Sequence, residues 1–562
     1  MTPAKNLFEY AVIRIVPCVE KEEFINAGII FYCASKKFLQ VVYALNEKKL
    51  TAFSTEINIE EIRQRLHAFE QIANGERSGG TIATFPLASR FRWLASTKSP
   101  LPLFDVLVEL TWLAFGNNGF YLLQAILYLV LAAGLLLLLS CSRLELKSGV
   151  AGPLLVFTTL AALWGWAPSL SPIWAQLRDG FAVQTILSDK LEPSSFGIFL
   201  LMSVALFAAG RVTIACVLAA VTCLFHPTYL IASAVLVLVY ATHTAVVEHR
   251  PLAAAKDLVI YTVLLSPIVL FLLLQFSPSN PETYRKAAEI LVYERIPYHA
   301  LPQVWISRHG FITIAMIISG ALVWVGPNRR VAYVIAISGC AILVLTLLTV
   351  AVNWAPFYLL FPWRLSTVLV PVAALGIVSR GVGFIQRYCS RRGYVRVFGI
   401  GCLTFYAVLL GGSAAIVAQG GIKSTPEDSP EYADPNYQAL VGAVASDPNP
   451  AAVYLFPPRL MESFRLRTGH PIVADFKSHP FKDVEILDWE ARLQWADRFF
   501  AGGACGTTQA PYEFDRVVAP RPPSLSVQSG LVEQCLLNTG HWYVTSRVPG
   551  YDVLAERRGG RS

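Results

Sequence analysis

From residue 120 to 420 the chain alternates long apolar runs with short polar breaks. Runs at 120–140, 150–168, 194–210, 212–225, 228–245, 258–276, 311–325, 331–353, 357–379 and 397–419 predict about ten membrane spans. At 1.5 Å per residue, a helix needs about 20 apolar residues to cross the hydrocarbon layer. Several runs are shorter, so their ends are soft, and the stretch 212–245 is expected to be kinked or shortened. Before residue 98 the period changes. "YAVIRIVP" (10–17) alternates, while "AGIIFYC" (27–33) and "FLQVVYA" (38–44) read as further strands. "IEEIRQRLHAFEQIA" (59–73) puts Ile59, Ile62, Leu66, Phe69 and Ile72 on one helical face. Beyond 420, strands are expected at 451–458, 470–476, 541–546 and 551–557, and a helix over 483–500. The pattern predicts a polytopic α-helical membrane protein. A soluble α+β domain over 1–98 precedes the transmembrane domain over 101–420, and a soluble α/β domain over 421–562 follows it.

Composition agrees: 54% of the 562 residues are hydrophobic and 15% charged, against roughly a quarter charged in soluble domains. The net charge of +8 gains meaning from its placement. Arg143 and Lys147, then Arg211, then His249, Arg250 and Lys256, then Arg329 and Arg330 follow alternate runs. Arg380, Arg387, Arg391, Arg392 and Arg396 follow the ninth. The positive-inside rule makes these five loops cytoplasmic. The loops at 169–193, 226–227, 277–310 and 354–356, and the carboxy-terminal domain, then face outward. Ten spans ending outside begin outside, yet the first residues hold no apolar core of an export signal. Either "LPLFDVLVELTWLAFG" (101–116) enters the membrane despite Asp105 and Glu109, or the first domain was joined to a bundle lacking its first helix.

No basic stripe interleaved with aromatics exists, so nucleic acid is not an expected partner. The ten cysteines show no zinc-ligand spacing. Cys505 and Cys535 form either a disulfide, which an exported location permits, or two separate thiols.

The candidate chemistry lies in the outward segments. "LLFPWRLSTVLV" (359–370) sets Arg364 within an apolar run, where a guanidinium must snorkel, pair or line a wet cavity. "QLRDGFAVQTILSDKLEPSSFG" (176–197) supplies Arg178, Asp179, Asp189, Lys190 and Glu192. "LFHPTYL" (224–230) supplies His226, Thr228 and Tyr229 at a helix break, and the 279–305 loop adds Arg285, Glu294, Arg295, Tyr298 and His299. Carboxylates for base work and cations for a phosphate thus gather on one side. In the first domain, Arg14, Glu23, Asn26, Arg90 and Arg92 read as a polar network holding a small sheet rather than as a catalytic site. In the last, Arg465, Arg467, Asp475, Lys477, His479 and Trp489 form either a salt-bridged rim or an acceptor-recognition surface.

Three resemblances add to this reading. "IRIVPCVEKEEFINAGIIFYC" and "SRFRWLAS" (89–96) carry a resemblance of the first hundred residues to the bacterial domain-of-unknown-function family 3037, which implies no activity. "FRLRTGHPIVADFKSHPFKDVEILDWEARL" (464–493) is similar to domain-of-unknown-function family 6798. Residues 120–500 resemble the lipid-linked-sugar glycosyltransferase superfold called GT-C, through "LRDGFAVQTILSDKLEPSSFGIFLL", "FHPTYL", "RIPYH" and "FPWRLS".

The last resemblance implies transfer of a sugar from a polyprenyl-phosphate carrier on the outer face of a bacterial cytoplasmic (inner) membrane. Asp179 or Glu192 would be the catalytic acid/base, with or without a divalent metal ion. Arg178, His226, His299 and Arg364 would contact phosphate or carrier, and the lipid bilayer and the polyprenyl-phosphate-linked sugar would be the partners. The superfold keeps an acid in its first outward loop; only Asp105 lies near that place here, which puts activity in doubt. The alternatives are a non-catalytic fusion membrane protein and a lipid or glycan transporter.

Overall fold

The computed structural model describes residues 9–15, 25–33, 36–45, 59–76, 118–142, 178–187, 191–306, 310–418, 434–449, 452–461, 463–477, 479–501, 514–521 and 530–556, with isolated positions between them. The chain forms two compact units: 100–427 with 481–487, and 1–99 with 428–480 and 488–562.

The first unit is the apolar bundle. Five helical segments among the described residues are long and apolar enough to cross a membrane: Asn118–Ser140, Pro227–Val247, Pro251–Leu274, Arg329–Val352 and Ala355–Arg391. This corrects the expectation of about ten. The 194–210, 212–225 and 311–325 runs do fold as helices, but as the shorter Pro193–Ala208, Val212–Phe225 and Phe311–Trp324. Fourteen residues reach about 21 Å, short of a hydrocarbon core of about 30 Å. Local chemistry ends each of them. Gly210 takes a positive φ of 81° after the first, His226–Pro227 stops the second, and the Gly326–Pro327–Asn328 turn follows the third. The 397–419 run becomes helix Val395–Ala418, of which Val395–Thr404 is the apolar stretch among described side chains. The 150–168 run, apart from the buried Val156 and Leu160, and Asp105, Glu109, Arg143, Lys147, Asp189 and Lys190 lie outside the described residues.

Polar groups sort to opposite ends of this bundle. At one end the Asn328 side chain accepts from Arg330 N and Val331 N (3.1 and 3.3 Å), capping helix Arg329–Val352. Its amide donates to the carbonyls of Cys141 and Ala208 at 3.3 and 3.4 Å, tying three helix ends together. There Arg330 pairs with Glu248 at 2.6 Å and donates to Phe207 O at 3.1 Å. At the other end lie the turns at 181–183, 193–197, 227–229 and 362–365. Residues 481–487 join this unit through Asp483, whose carboxylate accepts from Ser279 N and Oγ at 2.7 and 2.8 Å.

The amino-terminal domain is the expected α+β fold. Strands β1 (Glu9–Ile15), β2 (Ile25–Cys33) and β3 (Phe38–Tyr43) form an antiparallel sheet in that order. Helix Ile59–Asn74 covers one face, burying Leu66 and Ile72 with Ile13, Ile30, Leu39, Val41, Phe91 and Leu94. Arg90 donates to Ile72 O and Ala73 O at 3.1 and 2.8 Å, satisfying carbonyls at the helix C-terminus. Its role is structural. Glu23, Arg92 and the side chains of Arg14 and Asn26 lie outside the described residues.

The carboxy-terminal domain is a four-stranded sheet, β4 (Tyr454–Leu455), β5 (Arg516–Pro520), β6 (Trp542–Val548) and β7 (Tyr551–Glu556), ordered β4-β5-β7-β6. The β4–β5 pair is parallel and the others antiparallel. Tyr454, Val518 and Val553 face helix Pro435–Ala445. Leu455, Val517, Ala519 and Leu554 face Trp495, Phe499 and Val532 on the helices of the other side. The residue-by-residue alternation expected of a strand thus feeds two helical layers. The expected 470–476 strand is instead a single bridge between Tyr454 and Ile472, while β5 and three helices had no counterpart in the pattern. Cys535 is disulfide-bonded, and Cys505 lies outside the described residues.

Candidate functional site

Arg364 stands in a 3-10 turn, Pro362–Leu365, that opens the long helix Ser366–Arg391. The turn follows Phe361, a bulky residue held at φ 45° directly before a proline. Left-handed backbone is unfavourable for an aromatic residue, and a following proline disfavours compact conformations, so the surrounding packing must hold it there. Trp363 beside it is fully buried, packs its ring 5.3 Å from Trp305 and donates to His299 O at 3.0 Å.

The Arg364 guanidinium reaches the break between helices Val212–Phe225 and Leu230–Thr242. It bonds Thr228 Oγ1, lies 3.3 Å from His226 Nε2 and sits 5.2 Å over the Tyr229 ring. Arginine offers only donors, so Nε2 must accept and the imidazole carries its proton on Nδ1. The buried Tyr229 hydroxyl donates to Ser194 O at 2.7 Å, joining this break to the 193–197 turn. All bonded partners of the charge are therefore neutral. Arg364 is only partly exposed, and a desolvated cation that no carboxylate hydrogen-bonds among the described residues is costly.

The two candidate acids differ. Asp179 is 3% exposed, and both its oxygens are held by Arg178, at 2.6 Å from Nε and 3.0 Å from Nη2. Such a fork occupies both carboxylate oxygens. Its structural effect is to fix the loop that follows, where Phe181 N donates to Ser366 Oγ at 2.8 Å. Ser366 Oγ in turn donates to Trp363 O at 2.6 Å. Glu192 is exposed. It caps the 193–197 turn in a reciprocal box with Ser195, accepts from Ser194 Oγ at 3.2 Å, and lies close enough to act electrostatically on Arg364. His299 is half-buried. Burial first, then the Arg364 charge, hold its imidazole below the ordinary histidine pKa, outweighing the Ala182 backbone hydrogen bond.

Arg364, His226, Glu192 and His299 thus share one end of the bundle, with the Arg178–Asp179 pair anchoring the adjoining loop. Ser366, Gln184 and Trp305 belong to the same cluster and were not singled out in the sequence, since none stands in a chemically suggestive pattern. Among the described residues no group of three or more His, Cys, Asp or Glu side chains could hold a metal ion. Asp179 is taken by Arg178 and His226 Nε2 by Arg364, so these donors do not fit one either.

In the carboxy-terminal domain, Arg467 sits over Tyr437 at 5.8 Å, and Trp489 Nε1 donates to Asp475 O at 2.8 Å. His479 contacts Pro480 O at 3.0 Å and the Trp489 ring. These are contacts that brace the domain around the loop 470–480.

Comparison with known families gives two matches. Residues 10–101 match proteins of unknown function DUF3037, and residues 436–496 match the domain of unknown function DUF6798. The second extends well beyond the 464–493 stretch that carried the resemblance. Neither covers the apolar helices of the bundle, and neither supports kinship with the GT-C superfold. No characterised protein and no solved structure matches the chain. The chain is a multi-pass membrane protein flanked by soluble domains, with a DUF3037 domain first and a DUF6798 match in the last.

Proposed function

We propose that the end of the bundle holding Arg364 binds the phosphate of a polyprenyl-linked sugar and directs that sugar onto an acceptor outside the cytoplasm. One observation carries the reading: a partly buried guanidinium whose hydrogen-bond partners are all neutral. An anionic ligand would supply a directly hydrogen-bonded counter-charge, and arginine suits phosphate geometry. Sidedness rests on the opposite end, which holds Arg211, Arg250, Arg329 and Arg330 at helix termini and Arg380 beside the Gly326 turn, and which reads as cytoplasmic. The disulfide at Cys535 suits an exported, oxidising location for the last domain.

In this mechanism Glu192, rather than Asp179, takes the proton from the acceptor hydroxyl. The acceptor oxygen forms a bond to the anomeric carbon as the bond from that carbon to the phosphate oxygen breaks. The leaving phosphate keeps the electron pair, and Arg364 stabilises its charge. His226 holds the guanidinium in place, and no metal step is invoked.

The test uses protein reconstituted in nanodiscs with a long-chain polyprenyl phosphate and its hexosyl ester. Arg364→Gln is expected to weaken binding of both at least 30-fold, the consequence of losing a desolvated charge partner worth about 2–5 kcal/mol. Glu192→Gln is expected to bind both normally and lose roughly a hundredfold in transfer. Unchanged binding by Arg364→Gln refutes the site. Normal binding by wild type with no transfer to any cell-envelope acceptor favours a lipid-binding or transport role over the enzyme.

A further inference from the structure

Three polar atoms buried beside the Arg364 turn have no hydrogen-bond partner: Gln184 Oε1, His299 Nδ1 and Trp305 Nε1. The turns that carry them pack against one another. The Phe181 ring lies 5.0 Å from Trp305, whose other side meets Trp363 at 5.3 Å. Trp363 donates to His299 O, and the His299 ring is hydrogen-bonded by the backbone of Ala182, two residues before Gln184. Gln184 and Trp305 are 8% and 6% exposed. Ala182 itself holds a φ of 60°, a second non-glycine residue forced into left-handed backbone at this place.

Buried polar groups in native proteins are almost always satisfied, and each exception calls for an explanation. Here three exceptions fall on neighbouring turns, next to a guanidinium whose hydrogen-bond partners are neutral. Their chemistry restricts what completes them. The indole offers only a donor and the Gln184 oxygen only an acceptor, and His299 Nδ1 also accepts, because the other ring nitrogen of the neutral imidazole donates to the Ala182 backbone. A phosphate, which at neutral pH mainly accepts, would leave Gln184 unpaired, and a metal cation would leave the indole unpaired. A hydroxyl both donates and accepts, so adjacent hydroxyls on one ring can satisfy the whole set.

We infer that Gln184, His299 and Trp305 form a neutral subsite that receives the hydroxyl-bearing sugar ring of the carrier while Arg364 holds its phosphate. This rests on the phosphate reading above and adds the residues that distinguish a glycosylated carrier from a bare one. Gln184 and Trp305 then act as specificity residues and take no part in the bond changes.

The test compares a polyprenyl phosphate with its hexosyl ester, by native mass spectrometry of the nanodisc-embedded protein. Wild type is expected to hold the hexosyl form about tenfold more tightly, the effect of one or two well-made buried hydrogen bonds. Gln184→Met, which keeps side-chain length and removes the acceptor, and Trp305→Phe, which removes the indole N–H, are each expected to bring that ratio close to one. The readout is the ratio of the two affinities, in which any shared effect on the phosphate site cancels. A wild type that binds both lipids equally, or a preference that survives both substitutions, overturns the sugar subsite and leaves the phosphate site standing. A wild type that binds neither lipid removes both. The wild-type ratio alone decides the case if either variant fails to insert.

Discussion

Gly197 offers a sharp test of how the Arg364 site is held. It lies in the 193–197 turn, and an added Cβ there would run into the Tyr229 hydroxyl and ring, with Cε1 at 3.0 Å the most distant of the three nearest atoms. Tyr229 is fully buried, bonds Ser194 O and forms the face beneath Arg364. Gly197→Ala therefore has two effects. Overpacking a tight interior costs about 1–3 kcal/mol, and pushing the ring aside breaks the Tyr229–Ser194 bond, a further ~1 kcal/mol. We expect a total loss near 2–4 kcal/mol in detergent unfolding, together with weaker carrier binding because the surface under Arg364 moves.

A second substitution makes the reasoning refutable. Tyr229→Phe removes the hydroxyl oxygen, one of the atoms the new methyl meets. Alone it forfeits about 1 kcal/mol for the lost bond. In the Gly197→Ala background that bond is already broken and part of the clash disappears. The double variant is thus expected to be more stable than the sum of the singles by about 1 kcal/mol or more, as contacting residues show in such cycles. Strict additivity, or a harmless Gly197→Ala, would mean that the 193–197 turn does not bear on Tyr229 and that the site is held by other means.

Three further outcomes are expected. Asp447 accepts from Arg516 at 2.7 and 3.2 Å, from Asn449 N at 2.9 Å and from Tyr454 at 2.8 Å. Burial opposes its ionisation, but these donors outweigh burial and hold its pKa below the usual carboxylate value. Its contribution is thus present above about pH 4 and lost as pH falls through the lowered pKa; Asp447→Asn should remove that acid-limb slope in melts followed across pH. Glu533 has the opposite sign, because burial and Asp552 raise its pKa. Its stabilisation is full in acid and declines as pH rises through that pKa, so Glu533→Gln should raise the melting temperature at neutral pH. At the other end of the bundle, Glu248→Gln leaves Arg330 beside neutral groups and should lower stability by about 1–3 kcal/mol, with carrier binding unchanged. A drop in binding would mean the two ends are coupled.

Much of the fold was legible because it follows local periodicity. The helix Asp483–Phe500 coincides with the expected 483–500, and the first three strands fall within two residues of their expected bounds. Spanning number was misjudged for a definite reason. Hydropathy reports apolar composition, whereas the length of Val212–Phe225 is set by Arg211 at one end and His226–Pro227 at the other. β5 escaped notice because Arg516–Pro520 is only five residues long and buried on both faces, which leaves no alternation to read. The 470–476 segment alternates well enough yet pairs at one bridge only, since its register depends on a neighbour and not on its own pattern.

The site divides along the same line. Arg364, His226 and His299 could be picked out because charged or titratable residues in apolar surroundings are conspicuous in any sequence. That Asp179 is spent on Arg178 could not, because adjacency in sequence says nothing of whether two side chains fold onto each other. The strained pair, Phe361 and Ala182, is invisible in the sequence for a stronger reason: neither residue type favours positive φ, so propensity argues against what the fold imposes. Both flank the arginine turn, one immediately before Pro362 and the other on the loop seated against Ser366. Strain of about 1–3 kcal/mol at each persists only where packing over-determines it. Here that packing is the Trp305–Trp363–Phe181 cluster, which also carries the unsatisfied indole. A chain selected for stability alone would relax these positions with glycine. Positive φ at both positions, around a guanidinium whose hydrogen-bond partners are neutral, is what the proposed binding site would require: a geometry held in advance, with hydrogen bonds left for a ligand to complete.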